Sequence, residues 1–262
     1  MIRLHPDQMQ RIAPIFSKVD ETMVLSCLQG YMGSAWADDP VTPACAQIAV
    51  ADFCFLAGDA SAEGAKSLVR NIPPEGYDRD IIFIIPEDSA WCGLFESAHQ
   101  GRYEKFCRYA IKKEGDVFDR QRLRKIIAKL PPEYSLKRFD EALVHEALMK
   151  EWSFSLCSQF DSAADYLRRG RGYGIVHNGV LVSGASSYTF YDGGLEIEID
   201  TDEQYRRQGL ALVCGAALVL DCIEHGLYPS WDAANKASVA LSEKLGYHFD
   251  KEYPAYSMGF MK

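Results

Sequence analysis

No apolar run in this chain is long enough to cross a bilayer, and the first residues, MIRLHPDQMQRIAPIF, lack the uninterrupted apolar centre of a signal peptide. A membrane protein is excluded on that reading, and the expected location is the cytoplasm. There is no CxxC pair and no pair of histidines at ligand spacing, so nothing points to zinc, and no metal is expected. The eight cysteines could suggest disulfides, but the chain is far larger than a disulfide scaffold. Cys54 in DFCFLAG shows the alternative, a thiol inside an apolar run, and buried free thiols are expected. Positive charge is the scarcer sign: 28 Lys and Arg stand against 37 Asp and Glu, a net charge of −9. A nucleic-acid partner needs clustered cations and is not expected; cationic small molecules suit the charge better.

What is present is ordinary globular material, 48% hydrophobic and 25% charged, enough for one large core or two smaller ones. Pro131 and Pro132 end the amphipathic stretch VFDRQRLRKIIAKL, so the reading places a boundary there, with an N-terminal α/β lobe over 1–132 and a second domain over 133–262. In the first lobe PDQMQRIAPIF reads as helix, AQIAVADFCFLAG as strand, AEGAKSLVRNI as helix, DIIFIIP as a buried strand, EDSAWCGLFESAH as helix and RYEKFCRYAIK as strand. It contains no glycine-rich phosphate loop, and its function is not readable. In the second, YSLKRFD reads as a strand, EALVHEALMKEW and SAADYLRRG as helices, and GYGIVHNGVLVSGASSYTFYDGGLEIEID as three strands. Asn178-Gly179 predicts a two-residue hairpin turn, because both central positions of that turn need positive φ. An apolar helix follows Gly209, then a short strand near YPSWDA, the helix KASVALSEKLG closed by Gly246, and extended segments to the end.

The passage DTDEQYRRQGLALVCGAALVLDCI joins a strand to that apolar helix. A helix start offers unpaired backbone N–H groups and positive potential, and anions bind there. Gly209 supplies a position without Cβ, Ala211 a nearly bare one, and Arg206 and Arg207 charge-assisted donors. Alone, R-x-x-G-x-A is a weak pattern. In the order of strands and helices given above, and followed by NKASVALSEKLGY, the chain from about residue 134 onward resembles the GNAT superfamily, the GCN5-related N-acetyltransferases. Arg206, Gly209 and Ala211 match its Q/R-x-x-G-x-G/A motif, and Asn235, Leu245, Gly246 and Tyr247 match its later Asn-led helix ending in L-G-F or L-G-Y. The whole chain also looks like the bacterial subgroup that includes zwittermicin A resistance acetyltransferases.

The resemblance implies an α/β (α+β) fold with a central mixed, mostly antiparallel sheet flanked by helices; the order of the first half is compatible with a second GNAT-like lobe without demanding one. It implies acetyl-CoA as co-substrate, its pyrophosphate on Arg206, Arg207, Gln208, Gly209, Leu210 and Ala211, and backbone amides near Ile199 to Thr201 facing the thioester. Asn235 and Ser238 either contact the pantetheine or start the helix. The implied acceptor is a primary amine of a small molecule. An alkylamine, pKa about 10.4, must lose a proton before attack. Leu195, Ile197 and Ile199 alternate with Glu196, Glu198 and Asp200, placing three carboxylates on one strand face. Glu198 is the first candidate base and Glu196 the second; the same face could bind a cationic substrate, or be a solvated face. Where the family carries a tyrosine that protonates the leaving thiolate, this chain has Ser242, so either the thiolate leaves unassisted or another group, Tyr253 or Tyr256, serves. The alternative to an enzyme is a CoA-binding or ligand-sensing module without turnover. Cys214 and Cys222, in apolar surroundings, read as structural thiols.

Overall fold

The computed structural model describes residues 1–260. By contacts between residues the chain forms two compact units, Met1–Arg108 with the segment from Glu252 on, and Tyr109–Lys251. Pro131 and Pro132 lie within the second unit.

The first unit begins with a two-residue strand, β1 (Ile2–Arg3), and two 3-10 segments, Pro6–Ile12 and Ile15–Lys18, where the sequence suggests a single helix. Pro14, which has no N–H to donate, sits between them. Then come α1 (Thr22–Leu28), β2 (Ser34–Ala37), β3 (Cys45–Val50), β4 (Phe53–Gly58), α2 (Ala65–Arg70), β5 (Ile81–Pro86), α3 (Ser89–Ala98) and β6 (Glu104–Ile111), whose last residues enter the second unit. The run expected as one strand over AQIAVADFCFLAG is a hairpin of β3 and β4, paired from Cys45↔Gly58 to Val50↔Phe53. Both strands are buried throughout except Gly58, Asp52 is the only charged residue between them, and the turn is made with Ala51 at φ 54 rather than with a glycine or asparagine. The core of this unit gathers Trp36, Leu56, Leu68, Ile82, Ile84, Trp91, Phe95 and Tyr256.

The second unit continues with α4 (Arg120–Ile127), β7 (Tyr134–Arg138), α5 (Glu141–Leu148), α6 (Ala163–Arg169), β8 (Gly172–His177), β9 (Val180–Tyr191), β10 (Gly194–Thr201), α7 (Leu210–Glu224), β11 (Tyr228–Ser230), β12 (Asp232–Ala233) and α8 (Lys236–Leu245); β13 (Phe249–Gly259) leads back into the first unit, where it pairs antiparallel with β5. Its five-stranded sheet has the order β11-β10-β9-β8-β7. β7 to β10 are antiparallel and β11 joins β10 in parallel, a mixed sheet. The β8–β9 turn uses Asn178 at φ 50 and Gly179 at φ 82, as its sequence requires. Leu195 and Ile197 pack with Val213, Cys214, Leu218 and Cys222 of α7 in one core, which also takes Leu123 of α4 and Leu245 of α8. The opposite face meets the 3-10 segment Glu151–Leu156: a side chain at Gly184 would come within 2.6 Å of Leu156. No helix among the described residues is long and apolar enough to cross a membrane.

Candidate functional site

Because Leu195, Ile197 and Ile199 pack on the α7 side, alternation turns Glu196, Glu198 and Asp200 to the other face. The row is not uniform. Glu196 is 3% exposed, whereas Glu198 and Asp200 are half-buried and within reach of solvent. Glu196 stands between Thr189 of β9 and Ser230 of β11, both fully buried, and neither hydroxyl has a hydrogen-bond partner. Glu198 lies across from Ser186, whose hydroxyl is 2.6 Å from that of Tyr166. Burial pushes the Tyr166 phenol well above its ordinary pKa. Asp200 is also pushed up by burial, against the lowering effects of the Thr201 N–H and of Arg206. These hydroxyl neighbours escape a reading of the sequence: GASSYTF looks like any strand, and only the register sets Ser186 and Thr189 opposite the glutamates.

β10 is paired on both sides only at its start. β11 matches Gly194 to Glu196, while pairing with β9 continues to Thr201. From Ile197 to Thr201 the strand therefore has one paired and one open edge. Of the amides expected to face a ligand, that of Thr201 donates to Asp200 Oδ1 at 2.6 Å, and the Thr201 hydroxyl pairs with Ser183 at 2.8 Å.

Beyond β10 the chain turns through Glu203–Tyr205 into α7. Gly209 is the N-cap residue, left-handed at φ 82, exposed, and a Cβ placed on it would meet nothing within 4 Å. Arg207 is also left-handed, at φ 64, a conformation that costs a non-glycine residue about 1–3 kcal/mol. The first intrahelical bond runs from Val213 N–H to the Gly209 carbonyl at 3.3 Å, which leaves the amides of Leu210, Ala211 and Leu212 without helical acceptors. The loop is held from both ends. Arg206 Nε donates to the Thr201 carbonyl at 3.2 Å, and the Tyr134 hydroxyl donates to Gln208 Oε1 at 2.8 Å. Tyr134 in turn lies against His177, ring centroids 4.9 Å apart, and His177 Nδ1 is 3.1 Å from the Tyr205 hydroxyl. The result is an open, prearranged set of backbone donors at the positive end of a 15-residue helix, able to accept an anion.

At α8, Asn235 Oδ1 accepts from Ser238 N–H at 3.0 Å, capping the helix, and Ser238 Oγ accepts from Trp231 Nε1 at 3.1 Å. Both side chains are thus engaged in shaping α8. Ser242 is fully buried and donates to the Val239 carbonyl at 2.8 Å. Tyr256, fully buried in the first unit, donates to Glu96 at 2.6 Å, and Tyr253 bonds to Glu21 at 3.2 Å. Cys214 and Cys222 are sealed in the core, and burial pushes both thiols up to about 12, so neither is a nucleophile at neutral pH. Among the described residues no group of three His, Cys, Asp or Glu is placed to hold a metal.

A central strand opened along half of one edge, followed by a glycine-capped helix with free amides, makes a site where an anion can be held beside a sheet edge. The model of the GNAT acetyltransferase family matches residues 13–256, and the chain belongs to that family. Its enzymatic class is N-acetyltransferase. It is 39% identical to a GCN5-related N-acetyltransferase-like protein from Streptococcus suis 89/1591, whose crystal structure superposes with a TM-score of 0.88 over 96% of this chain and 98% of that one. It is 27% identical to the uncharacterized N-acetyltransferase YdfB of Bacillus subtilis (strain 168), over 91% of this chain and 90% of the relative. A tandem GNAT protein from the clavulanic acid biosynthesis pathway, 15% identical, shares the fold with a TM-score of 0.57 over 98% of this chain and 97% of that one.

Proposed function

We propose that the protein transfers an acetyl group from acetyl-CoA to a primary amine of a small molecule by direct attack. The observation that carries this reading is the exposed, left-handed Gly209 at the head of α7, following a strand whose outer half has an open edge. The residues fit the carrier: the open space at Gly209 leaves the amides of Leu210, Ala211 and Leu212 accessible to a pyrophosphate, with Arg207 beside them. Gln208, fixed by Tyr134, and Arg206, fixed on Thr201, hold the loop in shape rather than contribute free charge. Backbone groups along Ile197–Thr201 orient the acyl end. Acetyl-CoA supplies the activated thioester carbonyl; this chain supplies alignment and proton removal.

Glu198 is the base. It belongs to the carboxylate face and is partly open to solvent, whereas Glu196, on the same face, is almost completely buried. Buried Ser242 cannot protonate a departing thiolate, and the hydroxyls of Tyr253 and Tyr256 are engaged elsewhere. The thiolate leaves unassisted, which an ordinary thiol pKa of about 8.5 permits.

The test follows free thiol during incubation with acetyl-CoA and a panel of primary amines. Glu198→Gln is expected to lower kcat by about 10²–10⁴-fold, the usual range for loss of a general base, with CoA affinity unchanged by calorimetry. A Glu198→Gln variant as fast as the parent would remove the base assignment. Silence across the panel by a protein shown to bind CoA would count against amine acetylation.

A further inference from the structure

The outer half of β10 is an open sheet edge, and the bonds of its ladder tell which backbone groups face outward. In an antiparallel pair both polar groups of one residue point to the partner strand, and both of the next residue point away. Asp202 N–H donates to the Val182 carbonyl of β9 at 3.0 Å, and the Asp200 carbonyl accepts from Ser183 Oγ of β9 at 3.3 Å. Residues 200 and 202 therefore face β9. The N–H and C=O of Thr201, between them, face the open edge, because β11 reaches only to Ser230 beside Glu196. Both Thr201 groups are filled by side chains of the chain itself. Arg206 Nε donates to the carbonyl at 3.2 Å, and the N–H donates to Asp200 Oδ1 at 2.6 Å.

The bond to Asp200 is poised to break. Burial raises the Asp200 carboxyl above its ordinary value, and the lowering effects of the Thr201 N–H and of Arg206 do not offset it. The ionised carboxylate is thus held where it is at a net cost, and a move toward water relieves that cost. Asp200 has such a route, being half-buried, whereas Thr201 is buried and its N–H is covered until the carboxylate leaves. We propose that Asp200 is a displaceable latch on the carrier site: in the free protein its carboxylate occupies the Thr201 amide, and on binding a carbonyl of the pantetheine arm takes that amide and turns the carboxylate out onto the face of Glu198. The inference rests on the acetyl-CoA reading above. The released carboxylate stands two residues from Glu198, about 7 Å along the strand, and adds negative charge to the face that receives the amine. A cationic acceptor is therefore drawn in after the carrier rather than before it.

Calorimetry on the full chain tests the latch with two ligands, CoA and adenosine 3′,5′-bisphosphate, which has phosphates but no pantetheine arm. Asp200→Ala leaves the Thr201 amide without its acceptor and should bind CoA about three- to tenfold more tightly than the parent, the scale of one hydrogen bond. Asp200→Asn removes the charge but keeps an oxygen for the amide, so its CoA affinity should fall between the two. The bisphosphate, which does not reach the amide, should bind all three proteins equally, with a native circular dichroism spectrum as the check on folding. A gain shared by the bisphosphate would show that the carboxylate merely repels phosphate and would overturn the inference. So would an Asp200→Ala variant that binds CoA no better than the parent, or an Asp200→Asn variant that gains as much as Asp200→Ala. Each of these outcomes leaves the acetyl-CoA reading standing; failure of the parent to bind either ligand would overturn both.

Discussion

At Asp200 burial and hydrogen bonding act in opposite senses, and burial wins: the carboxyl is pushed above its ordinary value of 3.8 despite the Thr201 amide and Arg206. The sign of the linkage follows. A carboxyl raised on folding costs stability once it ionises, so the penalty is absent below about pH 3.8, grows as pH rises through the folded value and is complete above it. Asp200→Asn keeps an oxygen able to accept from Thr201 and removes the charge. It should be the more stable protein in urea at pH 7 and lose that advantage near pH 3.5; a variant less stable at pH 7 would show that the charge is needed where it stands. Gly209 makes a second prediction. Its left-handed φ of 82 costs a branched residue about 1–2 kcal/mol, and the added side chain would occupy the open space in front of the amides. Gly209→Val should therefore fold with that modest loss, measured by denaturation, and bind CoA about tenfold or more weakly. The left-handed conformation of Gly209 at the head of α7 was readable in the sequence because a residue without a Cβ adopts it freely. Ser186, Thr189 and Ser230 were not, because their place beside the glutamates depends on pairing registers that no local pattern encodes.

The elements differ in how far their sequences declare them. α7 and α8 have sharp ends because glycine or asparagine marks them, and the β8–β9 turn is set by Asn178-Gly179. The β3–β4 hairpin is concealed because two almost wholly buried strands meet at Ala51-Asp52 without the glycine or asparagine that marks the commonest two-residue turns. The open edge of β10 is hidden for another reason: it arises from the shortness of β11, whose three residues match only the start of its neighbour. At α8 the capping bond of Asn235 makes a prediction about the whole helix. Asn235→Ala should lower stability by about 1 kcal/mol, and Asn235→Ser, which can still cap, by only a few tenths. If capping is the full role of Asn235, the serine variant also keeps the parent's CoA affinity; a stable serine variant with weakened binding would assign the side chain a ligand contact.

On the scale of the whole molecule, the order of elements and the two motifs conveyed the family but not the membership of its compact units. A break such as Pro131-Pro132 can be seen locally, whereas the place of the residues after Glu252 in the first unit is set by the pairing of β13 with β5, from Tyr256↔Ile84 to Gly259↔Ile81. Tyr256 anchors that strand, fully buried, its ring 4.8 Å from Phe95 and 5.4 Å from Tyr103. Tyr256→Ala should destabilise the protein by about 3–5 kcal/mol in urea denaturation, the range for emptying an aromatic core position; a loss below 1 kcal/mol would mean that β13 is dispensable to the first core. The same arrangement bears on synthesis. During translation β5 leaves the ribosome long before its partner strand: at about 5–20 residues per second the interval is on the order of ten seconds. Throughout that interval the nascent chain exposes the edge bearing Ile82 and Ile84, and residues 109–251 are all made before the partner strand is complete, so the part of the protein made first is the part completed last.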